Sequence, residues 1–585
     1  MSGPRGETLA VGSAAAVVWF TTAWPMATTR KGLSPLGQDE AMVDAREYHE
    51  RTKHSPRELR ADEFELDFSN RPRPSKEYVD FPRRSLGTVS TPPETPALQA
   101  IATDTAESNR TPDDDTLSID LTTLCHYAAG VTKTIEVRGE TAKFRAAACT
   151  GKLYHVDLYA ITGDLDAPDG DDGTDAGVYH YDPNTDEFHV LREGDYRGVL
   201  ADATDDHPGV ADAPVTLVAT SEWWRNAWKY RNRTYRHAFW DSGTVLANLL
   251  AVAHGSGHRA EVVTGFADDS VARLLGIDPD DEAPLELVAV GRDDSGSSVR
   301  TVEPIDPIDP ETRLASDPVD YPLLSDAWHA STLSDGEAAA EWRERFVDGE
   351  GNSVPFGTHP PGDSEGREAS LEQPARSAGD GERIALDPVD EDTASARPVA
   401  NTIERRGSLR EYSHEPISSR KFATVLDRAL GGVPLDCFGA SGSAEPTEPS
   451  TLVDAYCLVH AVEGIPSGAY QYYHGEDALE RIGDTDREIA GHLALDQSVV
   501  GDAAVNVYLM ADVGAIVEAV GNRGYRVAQL AAGIRLGRLY LATYSHRTLG
   551  GRGFTFYDDR VTEHLSPRAA NQTPMTLFAL GKPAE

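Results

Sequence analysis

Two stretches of this chain read as copies of one another, and they restrict the fold more than any other feature. Asn232-Arg233-Thr234-Tyr235-Arg236 and Asn522-Arg523-Gly524-Tyr525-Arg526 each open an apolar helical run, and the two tyrosines stand 290 residues apart. A glycine follows each tyrosine by eight residues, Gly243 and Gly533. Further on comes a Gly-Phe pair, Gly265-Phe266 and Gly553-Phe554, then an Asp-Asp, then Val271 or Val561 two residues later. An ordered series at nearly constant spacing points to a duplicated domain. Two copies that pack together can build a site at their seam.

A chain of 585 residues is too long for one core and suggests two or three domains. Acidic residues outnumber basic ones 96 to 54, for a net charge of −42, and only nine of the cations are lysine. Such a surface is expected of a protein from a high-salt cytoplasm, where screening is short-ranged, about 3 Å at 1 M. It argues against a nucleic-acid partner, which requires clustered Lys and Arg on one face. Cys125, Cys149, Cys437 and Cys457 have no CxxC spacing, so the sequence suggests neither a zinc site nor a disulfide framework. No apolar run reaches the roughly 18 residues of a membrane span, and a cytoplasmic protein is expected.

Taken in order, residues 1–40 read as a disordered leader and 41–95 as an arm laid over a domain surface, a short helix in its first part and extended by prolines at Asn70-Arg71-Pro72-Arg73-Pro74. Residues 96–295 form the first copy, 296–395 an acidic, partly disordered connector, and 396–585 the second copy. Long helices are expected near residues 236–254 and 525–544, and final strands near 285–290 and 575–580. Helices and strands alternate without a clean run of parallel βαβ units, which favours an α+β arrangement. The Asp- and Gly-rich stretch 164–175 lacks the ordered spacing of a calcium loop and reads as a surface turn. There is no P-loop, Rossmann glycine fingerprint, HExxH or GxSxG.

Three segments could carry chemistry. In Arg406-Gly407-Ser408-Leu409-Arg410-Glu411-Tyr412, two arginines and a serine can converge on a phosphate, although a solvated basic turn reads equally well. In Ala148-Cys149-Thr150-Gly151, small residues before a strand let backbone approach a flat ligand, or simply make a tight turn. Lys229-Tyr230 follows Trp223, Trp224 and Trp228; a lysine partly desolvated there suits proton transfer, while a surface lysine is the plainer alternative.

Residues 406–412 resemble the Arg-x-Ser-x-Arg-x-aromatic opening of the FMN-dependent nitroreductase superfamily. Residues 145–159 resemble its Pro-Ser-x-Gly-Ala-x-x-Pro segment, departing from it at Ala148, Cys149 and His155. Residues 178–200 and 228–275 are similar to the SagB/ThcOx-type dehydrogenase branch, which oxidises azolines in ribosomally made peptides, and Lys229-Tyr230 match its Lys-Tyr pair.

The resemblance implies an α+β fold of two nitroreductase-like domains, each a mixed β-sheet flanked by helices, packed as an intrachain pseudo-dimer with FMN at the seam. Arg406, Ser408 and Arg410 would hold its phosphate, with Lys582 as a further candidate. Cys149, Thr150 and Gly151 would border the ring, and Gly553, or its counterpart Gly265, would lie at the flavin edge. Lys229 or Tyr230 would be the catalytic base. The first copy keeps only Ser108-Asn109-Arg110-Thr111 of the phosphate motif, so one complete site per chain is expected. No metal is implied. The substrate would be a peptide or small molecule, with a peptide-maturation protein as a further partner. The alternatives are an NAD(P)H-dependent nitro- or quinone reductase and a degenerate flavin-fold scaffold.

Overall fold

The computed structural model describes residues 43–87, 89, 92–101, 119–137, 139–166, 173–291, 305–308, 317–347, 383–389, 397–438 and 452–584. The expected leader and the remnant 108–111 lie outside them, as does much of the connector.

The strands are β1 (Arg83–Ser85), β2 (Val131–Val137), β3 (Glu140–Arg145), β4 (Val156–Thr162), β5 (Gly177–Asp182), β6 (Glu187–Glu193), β7 (Val215–Glu222), β8 (Ala260–Val263) and β9 (Glu282–Val290). They continue with β10 (Arg383–Ala385), β11 (Asp454–Val459), β12 (Gly468–Tyr473), β13 (Ala478–Gly483), β14 (Val505–Ala511), β15 (Gly550–Phe554) and β16 (Thr573–Gly581). Two seven-stranded sheets result, β1-β6-β5-β4-β7-β9-β8 and β10-β13-β12-β11-β14-β16-β15, with the same order position by position. A separate β2-β3 hairpin follows the helix Leu121–Ala129. The central strands β7 and β14 are buried along their whole length, so each sheet is covered on both faces.

The fold corrects the expectation of mixed sheets: the named strand pairs of both are antiparallel. The four-residue connections from β5 to β6 and from β12 to β13 reverse the chain, which only antiparallel pairing permits. A parallel contact does occur where the second half reaches across: Val262 N donates to Pro434 O and Asp436 N donates to Val262 O, each at 3.0 Å.

Each repeat signature opens a long helix, Thr234–Gly255 and Asn522–Ser545, and the two helices pack along each other. Glycine makes the approach possible. A Cβ on Gly243 would lie 2.4 Å from the Gly533 carbonyl carbon, and one on Gly533 would lie 2.4 Å from Phe239 O. The rings of Tyr235 and Tyr525 stack across the seam with centroids 6.3 Å apart. Both helices are therefore buried on nearly every side, unlike an amphipathic surface helix.

The expected arm is more than a surface strap. Tyr48 (0% exposed) donates to Asn232 O, and His49 bonds the Tyr525 hydroxyl and Thr573, so the helix Ala45–Arg51 wedges into the seam. Lys76 is buried on Glu282 at 2.5 Å.

Candidate active site at the seam of the two halves

The site starts from a turn. Thr150–Lys152 form a single 3-10 turn before β4, with Gly151 at φ +63°. A side chain there would be strained, and its Cβ would lie 2.6 Å from the Tyr230 hydroxyl. Asp241, on the long helix, fixes the turn: Thr150 N donates to it at 2.9 Å, the Thr150 hydroxyl at 2.8 Å and the Cys149 thiol at 3.1 Å. Tyr230 closes the short helix Trp223–Tyr230 and packs edge-on against His237, 4.6 Å between centroids.

The second half supplies cations. Arg406 does not stand free: its Nε donates to Ala146 O at 2.9 Å and its guanidinium to Arg145 O and Ala147 O at 2.9 and 3.1 Å. It clamps the two halves beside the turn. Arg410 and Ser408 are exposed. Arg552, on β15, feels Arg410, Tyr540, Tyr412 and Tyr230, and Lys229 feels Arg552. Among the described residues, no carboxylate pairs with Arg410, Arg552 or Lys229. Cations without a carboxylate partner are what a phosphate needs.

Other candidates fall elsewhere. Lys582 is held by Glu415 at 3.1 Å. Gly553 N donates to the Tyr540 hydroxyl at 2.7 Å, inside β15. Gly265 is not its counterpart. Asp268 and Asp558 each begin a helix, Asp268–Leu275 and Asp558–Leu565, and buried Phe266 and Phe556 lie two residues before them. Thr555 thus stands in register with Gly265. The spacing misled because the Gly553-Phe554 pair lies two residues before the register equivalent of Gly265-Phe266, Thr555-Phe556.

Gly265 sits where the repeat would place a mirror site, and that place is filled. Thr264 N and Gly265 N donate to Asp436 at 2.8 and 2.9 Å, and Arg343 donates to Gly265 O at 2.7 Å. Trp342, on the connector helix Gly336–Glu344, donates to Val520 O at 2.9 Å; Val520 is the repeat equivalent of Tyr230. Phe346 is 0% exposed in the same cluster.

Electrostatics separate the two members of the Lys-Tyr pair. Burial, reinforced by Asp241 and Cys149, pushes the Tyr230 hydroxyl well above its ordinary range, so it stays protonated and can donate. Lys229 is open to solvent, with its ammonium 5.0 Å over the Tyr230 ring; partial desolvation and then the charge of Arg552 lower its pKa. Burial and then Arg410 lower that of Arg552. Burial and then Asp241 raise the Cys149 thiol. Sequence reading missed Asp241, Arg552 and Tyr540. Arg552 in Gly550-Gly551-Arg552-Gly553, and Asp241 as a lone acid in an apolar helical run, were the visible signals.

Residues 129–292 match the nitroreductase family profile. A Methanocaldococcus jannaschii protein named as a nitroreductase is 26% identical over 190 residues, which are 32% of this chain and 92% of that protein. The crystal structure of an Anabaena variabilis protein named as a nitroreductase aligns at a TM-score of 0.65 and 22% identity, over 92% of this chain and 99% of that one. The nitroreductase-like fold thus extends through both sheets. A Desulfovibrio desulfuricans protein, also named as a nitroreductase and solved with FMN, aligns at a TM-score of 0.22 and 17% identity over 32% of this chain and 88% of that one. Among the described residues, no helix is long and apolar enough to cross a membrane.

Proposed function

We propose that the chain is a duplicated nitroreductase, folded as an intrachain pseudo-dimer, that holds one FMN per chain at the seam and acts as an oxidoreductase. The observation that carries this reading is Arg552 of one half, which feels Arg410 beside it and, across the seam, Tyr230, the residue packed on Gly151 of the other half. The cations suit a phosphate, and the close approach at Gly151 suits a flat ring against backbone. The filled mirror position, with Trp342 against Val520 and Asp436 on Gly265, supports one site rather than two.

When bound, FMN would supply the two-electron acceptor. Lys229 takes a proton from the substrate carbon next to the one oxidised, and its lowered pKa suits it to that role. Tyr230, held protonated, orients the substrate or donates to it. Arg410 and Arg552 hold the phosphate, while Arg406 holds the two halves in register. The Lys229-Tyr230 pair at this site favours the dehydrogenation of an azoline-like ring in a peptide, as in the SagB/ThcOx-type branch.

The test is the released flavin counted per purified chain. One FMN is expected in the native protein, with clear loss in Arg410→Ala and Arg552→Ala. Full retention in both variants would end the assignment. Two FMN per native chain would end the single-site reading.

A further inference from the structure

The cluster that fixes the turn has the chemistry of a metal centre. Cys149 and His155 are both departures from the resembled motif, and both converge on Asp241. The Cys149 thiol meets Asp241 Oδ2 at 3.1 Å, and His155 Nε2 meets the same oxygen at 2.9 Å. One donor atom from each of the three side chains lies within 4.8 Å of the others. The His155 and Asp241 side chains are 0% and 6% exposed.

Each donor is also held from behind. His155 Nδ1 is bonded to the Ser221 hydroxyl at 2.8 Å, which fixes the ring and leaves Nε2 facing the cluster. The Thr150 hydroxyl holds Asp241 Oδ1 and the Thr150 amide is shared between both carboxylate oxygens, which fixes the carboxylate with Oδ2 toward Cys149 and His155. Tyr154 N donates to the Cys149 sulfur at 3.0 Å, a contact that favours the thiolate. Outer contacts of this kind orient metal ligands. A cavity of about 10 Å³, with Ala147, Ala148, Cys149 and Asp241 among its lining residues, adjoins the cluster and has room for about one water.

We propose that Cys149, His155 and Asp241 bind a zinc ion whose fourth position opens into that cavity. A mixed sulfur, nitrogen and oxygen set with one position left over suits four-coordinate zinc. Tetrahedral donors around zinc sit roughly 3.3–3.7 Å apart, so the two contacts to Asp241 need to spread by only a few tenths of an ångström, and Cys149 and His155 already lie within 4.8 Å of each other. On binding, the metal–sulfur bond replaces the thiol S–H bond and the proton leaves to solvent. The dication, the thiolate and the carboxylate then sum to zero charge, which a buried site requires. The ion would pin the turn at residues 149–151 to the long helix. No cysteine spacing could have shown it, because 86 residues separate His155 from Asp241.

The test is metal uptake, read without reference to activity. Native protein is loaded with Zn²⁺, dialysed, and counted by elemental analysis; a second sample, stripped of metal, is titrated with Co²⁺. One zinc per chain is expected, with a near-ultraviolet thiolate-to-cobalt absorption band. That band disappears in Cys149→Ser and survives in Cys457→Ser, and Ser221→Ala weakens zinc binding about 10-fold. No zinc above buffer level in the loaded native protein overturns the proposal, even if the variants fail to fold. So does a cobalt–thiolate band that persists in Cys149→Ser.

Discussion

Arg236 of the first half and Asp558 of the second meet at 2.7 Å with both side chains fully buried, and Arg526 and Asp268 make the same pair in the opposite direction at 2.7 Å. A second arginine joins each, Arg233 at 3.2 Å and Arg523 at 2.5 Å. The repeated signature is thus a reciprocal clasp: each copy contributes two arginines to the acid that begins a helix of the other. An acid in a helix's first turn also complements the helix dipole.

Arg236→Ala is expected to cost about 3–5 kcal/mol, because it leaves a buried carboxylate short of a partner. Burial would raise the Asp558 pKa, but Arg233 and Arg236 hold it well below the ordinary 3.8. A depressed carboxyl stabilises the fold above its unfolded value and loses that contribution as pH falls. The deficit of the variant should therefore be largest at neutral pH and shrink in acid. Chemical unfolding followed at several pH values measures it; a deficit independent of pH would contradict the clasp.

Gly533→Ala should disrupt the seam more than an alanine in a helix ordinarily does. The new methyl meets backbone, Phe239 O at 2.4 Å, which has no rotamer to move aside. Alanine favours the isolated helix by about 1 kcal/mol, so a loss of about 2 kcal/mol or more, seen as a fall in Tm, isolates the packing effect.

Glu286 is fully buried in β9, and burial, offset only in part by Ser242 and Arg526, raises its pKa from 4.5 to about 8. A raised carboxyl stabilises the fold below its unfolded value and loses that contribution as pH rises toward the folded one. Between those two values native stability should fall by several kcal/mol, losing about 1.4 kcal/mol for each step of one in pH. Glu286→Gln should flatten that fall. An unchanged pH profile in thermal melts would show that Glu286 titrates alike in the folded and unfolded chain and overturn the assignment.

Neutral Lys229 is the proton acceptor in the proposed reaction, so turnover should rise with pH through a value below the ordinary 10.5. Lys229→Met should abolish that rise and lower kcat by about 10²–10⁴-fold. Tyr230→Phe should slow turnover without moving the profile, since the tyrosine stays protonated. Steady-state kinetics against pH distinguish the two; a profile moved by Tyr230→Phe would reverse the roles.

Much of the fold was legible along the chain. The long helices and final strands fell where apolar periodicity put them, Thr234–Gly255 against 236–254 and Thr573–Gly581 against 575–580. Those signals survive in sequence because helix and strand periods are local. The equivalence of Gly265 and Gly553 failed because a short motif recurs by chance near its true equivalent, and only the helix starts at Asp268 and Asp558 fix the register.

By itself the sequence determined that an Asn-Arg-x-Tyr-Arg signature occurs twice, each time opening an apolar helical run, and it singled out Cys149 to Gly151, Lys229-Tyr230 and Arg406 to Arg410 as candidates for chemistry. The tertiary structure alone decided what those residues face. It set Arg406 on the carbonyls of residues 145–147, put Asp241 beneath the turn with Cys149 and His155, and filled the mirror position with Trp342 and Asp436. The physical reason is range. Propensity and periodicity act over a few residues, whereas these contacts join positions 86 to 261 residues apart, brought together by burial of the two long helices against each other.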